Sequence, residues 1–272
     1  TKNTLITDAL NKIENMIDNY SHVENDIYYI TESIPGPKEF SPEYNLLIDA
    51  FNSQITHHCE CLSCSQQCSC VTMYSNETIK TKDFEPVTSF MECNDNCSCS
   101  SDCKNRTVQK GPIKNLYVKK CDNDLKGYGL FCEQVIKKGT FICEYAGEIL
   151  TKSEAARRHS LNTLHNKMNY IFGLKEIVNE KIIETFIDPC TFGNIGRYIN
   201  HSCEPNSIIV PVRINCMIPK LAIFSCSCIE PHSEITFNYS GNNNNLPLQL
   251  NVKRKKCLCN SSQCLGHLPF DP

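Results

Sequence analysis

The sequence predicts a mainly β fold that carries bound metal beside its core. Eight short strand-like runs, at 115–120, 129–135, 140–145, 169–174, 182–187, 207–214, 220–226 and 234–239, are interrupted by one clear helix. That order suits a β-rich core better than a doubly wound sheet. Twenty cysteines are concentrated in clusters of C-x-C and C-x3-C spacing. The stretch Asn194–Asn206 mixes Gly196, Arg197, Asn200, His201 and Cys203 with Ile195, Tyr198 and Ile199. Polar groups inside an apolar run need partners, so this stretch reads as a polar ligand-binding segment threaded through a core.

A chain of 272 residues can bury one main core with appendages. Its formal net charge of −3 offers no overall basic field for nucleic acid, which leaves direct DNA contact open, and a mildly acidic surface suits a basic peptide partner. No apolar run approaches the roughly 18 residues of a membrane span, and no signal peptide is evident.

From the start, Leu5, Ile6, Ala9, Leu10, Ile13, Met16 and Ile17 share one helical face, with Thr4 as a cap, and predict a helix over 1–20. Residues 21–50 read as extended and irregular, with a turn at Ile34-Pro35-Gly36-Pro37. Next comes the cysteine framework. Cys59, Cys61, Cys64, Cys68 and Cys70 precede a spacer at 71–92 that reads as a surface loop, and Cys93, Cys97, Cys99 and Cys103 follow it. Neighbours this close favour a shared metal over bridges between distant segments, and so zinc in a reducing compartment. Nine thiolates do not divide into mononuclear four-coordinate sites. Three zincs need twelve contacts, which three bridging and six terminal sulfurs supply.

Thr151-x-x-Glu154 is a capping box that starts a helix over 152–163. The run 241–256 is rich in Asn and ends in Lys253-Arg254-Lys255-Lys256, a linker with a charge patch. Cys257, Cys259 and Cys264 make an incomplete zinc site that needs a fourth ligand. Cys121, Cys132, Cys143, Cys190, Cys216, Cys226 and Cys228 have no such pattern and read mostly as small apolar residues.

Arg197-Tyr198-Ile199-Asn200-His201-Ser202-Cys203 resembles the signature of the SET-domain protein lysine methyltransferases, and Phe141–Glu148 is also similar to this family. The nine-cysteine framework resembles the family's pre-SET module, and the tail its post-SET module. The resemblance implies a SET fold of small curled sheets around a pseudoknot. It divides the chain into an N-terminal helix and extended segment (1–50), a pre-SET three-zinc module (51–111), a SET catalytic domain (112–240), and a linker with a post-SET zinc module (241–272). It supplies Cys203 as the tail's fourth ligand and makes Leu268 and Phe270 apolar cover for the adenosine or the channel wall.

The resemblance further implies transfer of methyl from S-adenosylmethionine to a lysine of histone H3, lysine-9 or lysine-36, in chromatin of the nucleus and chromosome. Lys126, Gly127, Tyr128, Tyr170, Arg197, Asn200 and His201 match cofactor contacts, with His201 stacking or bonding near adenine. Tyr239 and Tyr145 match channel tyrosines that align the amine. Phe237 borders the lysine pocket and implies a di- or trimethyl product. Asn238 stands where the family usually has Asp, and Ser240 where it often has Gly. A zinc scaffold that binds chromatin without strong catalysis is the alternative. Retention of Tyr239, Tyr145, Asn200 and His201 together argues against it.

Overall fold

The computed structural model describes residues 23–24, 26–65, 67–72, 89–178, 181–240 and 255–269. The predicted helix over 1–20, most of the spacer 71–92 and the Asn-rich run lie outside them. Two four-stranded sheets carry the core. In the first, the order is Phe90–Met91, Ser207–Arg213, Lys220–Ser225 and Phe141–Glu144. Ser207–Arg213 is buried along almost its whole length, because the antiparallel strand Lys220–Ser225 flanks it on one side and Phe90–Met91 on the other. In the second, the order is Ile34–Pro35, Glu148–Leu150, Lys181–Asp188 and Phe172–Val178. A separate antiparallel ribbon joins Leu116–Lys120 to Tyr128–Cys132. Leu130, Ile142, Ile187, Ile199, Leu221, Ile223, Ile235 and Phe237, from both sheets, the ribbon and the segments between them, meet in one core.

Seven of the eight predicted runs overlap observed strands closely or with a small shift, such as 169–174, which begins at Phe172 and runs on to Val178. The last run, 234–239, shortens to Thr236–Phe237. Two expectations are corrected. Residues 21–50 are not wholly irregular: Pro42–Asn52 is a helix, capped where Ser41 Oγ accepts from Tyr44 N at 3.1 Å. Ser-Pro-Glu is a helix start, with Pro at the first position and a carboxylate at the positive end. The supposed turn at Ile34-Pro35 is a strand edge, paired in parallel with Glu148-Ile149. Similarly, the end of the spacer is a strand, Phe90–Met91 paired with Val212-Arg213.

The second helix, Lys152–Leu164, has the predicted cap, with Glu154 N donating to Thr151 Oγ1 at 3.1 Å. Glu43 of the first helix accepts from Lys152 N and, at 2.6 Å, from Ser153 Oγ. A carboxylate there neutralises the helix start. Arg158 reaches inward to Glu148, Glu154 and Asp188. Arg213 and Glu176 make a two-pronged buried pair at 2.9 and 2.8 Å that joins the two sheets.

Candidate active site and metal centres

The thread at 194–206 is held from both sides. Asn194 Oδ1 accepts from Gly196 N at 3.0 Å and Ala146 N at 3.3 Å, while its Nδ2 donates to Glu144 O at 2.8 Å. A Cβ on Gly196 would stand 2.5 Å from Glu144 O, so only glycine passes this strand. Beyond it, Asn200 and His201 pair in parallel with Thr236 and Phe237. Asn206 closes the far side, donating to Glu234 O at 2.8 Å and accepting from Thr236 N at 2.9 Å. The buried polar groups of the thread are thus satisfied, and the crossing holds Tyr239 beside the thread.

Four aromatic rings meet at this crossing. The Phe237 ring centroid lies 5.8 Å from Tyr145, 5.8 Å from Phe172 and 5.0 Å from Tyr239. Tyr145 Oη donates to Tyr170 O at 2.6 Å, and Tyr239 Oη to Ile199 O at 3.2 Å. Burial, with Tyr239 nearby, holds the Tyr145 phenol well above its ordinary pKa, so it remains a neutral donor. Phe172 was not picked out from the sequence, although Tyr170 and Phe172 stand two apart, on one side of an extended chain.

The sequence-predicted cofactor residues fall into two groups. Lys126, Gly127, Tyr128 and Asn200 come together: Asn200 Nδ2 donates to Tyr128 O at 3.0 Å and to Glu234 Oε1 at 2.8 Å, and Lys126 pairs with Glu234 Oε2. Gly127 has φ +74°, and a Cβ there would meet nothing within 4 Å. The turn therefore needs glycine for its backbone angle and leaves open space beside it, as a ligand cradle requires. Arg197 belongs to a second group. Its guanidinium lies 4.7 Å from the Tyr170 ring and 5.0 Å from the Tyr198 ring, donates to Pro189 O at 3.1 Å and pairs with Glu24 at 2.7 Å. Glu24 and Glu234 were both missed, because nothing in their neighbourhoods distinguishes them from solvated acids.

The His201 ring is held from both sides. Tyr239 N–H can only donate, and it reaches His201 Nδ1 at 3.1 Å. The ring proton therefore sits on Nε2, which faces Cys203 Sγ at 3.4 Å. Both ring nitrogens thus have partners within the chain. Burial, then the charge of Lys126, lowers the ring's pKa to about 4. His201 thus ties the tail thiolate to the backbone of Tyr239.

The cysteines suit zinc. Cys59, Cys64 and Cys93 have Sγ atoms 3.7 to 3.9 Å apart, and Cys70 and Cys97 are 3.6 Å apart. A tetrahedron with zinc–sulfur bonds of about 2.3 Å has edges of about 3.8 Å, whereas a disulfide would bring sulfurs to about 2.05 Å. Cys59 belongs to three overlapping four-sulfur groups, and Cys64, Cys68 and Cys93 to two each, so these sulfurs form one connected cluster and not separate four-sulfur sites. Arg106 lies against the cluster, with Nη2 3.7 Å from Cys99 Sγ and 2.8 Å from Asn94 O. Its charge offsets the excess of thiolates. Glu92 accepts from Thr107 N and Val108 N, both at 2.7 Å, and so ties the cluster to the strand that enters the first sheet. In the tail, Cys203, Cys257, Cys259 and Cys264 form a fourth group, with Leu265 N donating to Cys203 Sγ at 3.4 Å. The fourth ligand expected for the tail is therefore in position. No group among the described residues includes Cys226 or Cys228. Leu268 is half-buried, and Phe270 lies outside the described residues.

Known proteins resemble this chain in sequence and fold. The SET domain matches residues 127–240 and the Pre-SET motif residues 7–106. The chain is 41% identical to the histone-lysine N-methyltransferase SETMAR of Bos taurus, over 87% of this chain and 83% of that protein. The crystal structure of the methyltransferase domain of human SETMAR superposes with a TM-score of 0.72 at 36% identity, covering 93% of this chain and 92% of that one. KRYPTONITE, solved in complex with mCHH DNA, an H3(1-15) peptide and SAH, superposes with a TM-score of 0.64 at 26% identity over 90% of this chain and 48% of that one. The thiolate groups, the crossing at Asn200-His201 and these likenesses agree: the chain belongs to the SET-domain histone-lysine N-methyltransferases that carry a Pre-SET motif.

Proposed function

We propose that this chain methylates a lysine of histone H3, lysine-9 or lysine-36, to the di- or trimethyl state, in chromatin of the nucleus. The observation that carries the reading is the crossing, which gathers Tyr145, Phe237 and Tyr239 on one side and Asn200 with the Lys126–Tyr128 turn on the other. The protein would hold four zinc ions, three at Cys59–Cys103 and one in the tail. S-adenosylmethionine, when bound, supplies an electrophilic methyl group.

The chain's own residues do the rest. A lysine amine is normally charged, with a pKa of about 10.4. A narrow aromatic channel disfavours the charged form and lowers that pKa, so no strong base is required. Tyr145, held neutral, and Tyr239 orient the neutral amine through their hydroxyls and through the carbonyls they fix. Alignment of this kind supplies much of the rate. Arg197 stiffens the Tyr170 wall, and the tail zinc site closes the channel over Cys203. Asn238 and Ser240 contribute no reacting atom, in keeping with activity. The test is radiolabelled methyl transfer by zinc-loaded protein to H3 peptides, each with one lysine replaced by arginine. Label should vanish with one replacement only. Absence of transfer to every H3 peptide would overturn the reading.

A further inference from the structure

Glu234 stands at the centre of the predicted cofactor residues without having been one of them. Its backbone is fixed twice: it bridges to Phe131, and its carbonyl accepts from Asn206. Its carboxylate is shared among three partners. Oε2 pairs with Lys126 Nζ, and Oε1 accepts from Asn200 Nδ2 at 2.8 Å and from the Cys121 thiol at 3.6 Å. The side chain is 21% exposed.

Gly129 makes room for it. A Cβ on Gly129 would stand 2.9 Å from both Cys121 Sγ and Glu234 Oε1. The two glycines of Gly127-Tyr128-Gly129 thus have separate reasons. The first provides the backbone angle, and the second admits the Glu234 carboxylate.

The consequence lies in the amide of Asn200. Its nitrogen's two nearest neighbours, Tyr128 O at 3.0 Å and Glu234 Oε1 at 2.8 Å, can only accept, and the Cys121 sulfur stands farther off at 3.6 Å. A flipped amide would set Oδ1 against a carbonyl and a carboxylate, so the orientation is fixed by chemistry. Among the described residues Oδ1 has no partner, and it can only accept. We propose that Glu234 is a positioning residue: it locks Asn200 so that Oδ1 is presented as an acceptor for the ammonium of the methyl donor, and it holds Lys126 and the glycine turn beside it. The inference rests on the methyltransferase reading above.

The experiment compares two probes by calorimetry, S-adenosylhomocysteine and its analogue lacking the amino group, on zinc-loaded wild type, Glu234→Ala and Glu234→Gln. Wild type should prefer the aminated ligand. Glu234→Ala should bind that ligand roughly ten- to a hundredfold more weakly, the range for a hydrogen bond to a charged group, with the analogue's affinity unchanged. Glu234→Gln can still accept from Asn200 but cannot pair with Lys126, and should lose less. It also carries the test if the alanine variant fails to keep its zinc and its melting transition. Wild-type discrimination in both variants, or equal loss of both ligands in folded protein, would overturn the role of Glu234. Wild-type protein that binds neither ligand would instead overturn the methyltransferase reading on which the role depends.

Discussion

Phe237→Tyr separates a channel wall from a core ring. Phe237 is 2% exposed and touches the rings of Tyr145, Phe172 and Tyr239 at centroid distances of 5.0 to 5.8 Å. The added hydroxyl has two destinations. Aimed into packed core, it is a buried polar group without a partner and costs about 1–3 kcal/mol. For a chain of this size, roughly 2–4 °C per kcal/mol makes that a fall of about 2–12 °C in melting temperature. Aimed into the lysine channel, it keeps a hydrogen bond with water and costs little stability. The water it holds then occupies the space a further methyl needs, and ~1.4 kcal/mol is enough to slow the next transfer tenfold. Zinc-loaded wild type and variant would be melted in parallel, and a methylated H3 peptide followed by mass spectrometry to long times. The expected result is a di- or trimethyl product from wild type, a mainly monomethyl product from the variant, and nearly equal melting temperatures. A lowered melting temperature with an unchanged product would place the ring in the core alone and refute the assignment.

Other outcomes follow from the metal centres and the crossing. Elemental analysis should find about four zincs per chain, since the thirteen thiolates can hold three and one; one or two in active protein would contradict the bridged cluster. Cys203→Ser should cut turnover more than global stability, because it releases His201 Nε2 and Leu265 N together with the tail, and full activity with a protease-resistant tail would exclude it. Tyr239→Phe should nearly silence methyl transfer while calorimetric affinity for S-adenosylhomocysteine persists, since its hydroxyl bonds Ile199 O and not the Asn200 side.

The strands and cysteines were legible because their signals are local. Alternation marks a strand, spacing marks a metal site, and Thr151-x-x-Glu154 marks a helix start. What escaped was made by contact. The pairs at 28–29, 34–35, 90–91, 192–193 and 200–201 each involve a strand of two residues, too short for any period. Pro42–Asn52 did announce itself, through Ser41-Pro42-Glu43, but the prolines before it drew the reading toward irregular chain. His201 was recognisable as important, but spacing cannot tell which neighbours its ring nitrogens meet. Glu234 carried no signal at all. Its importance arises from Asn200 and Lys126, which reach it from other elements.

The crossing also orders events in time. A chain emerging from the ribosome presents Cys59 through Cys103 first, so the larger cysteine cluster has all of its thiols before most of the catalytic strands exist. The crossing cannot form until Thr236 and Phe237 have been made, and the tail site must wait for Cys264. A nascent chain can thus be metal-laden at one end while its catalytic residues remain apart. Metal acquired early would report that synthesis has begun well. Only the last thiolate to arrive would report that the enzyme is ready.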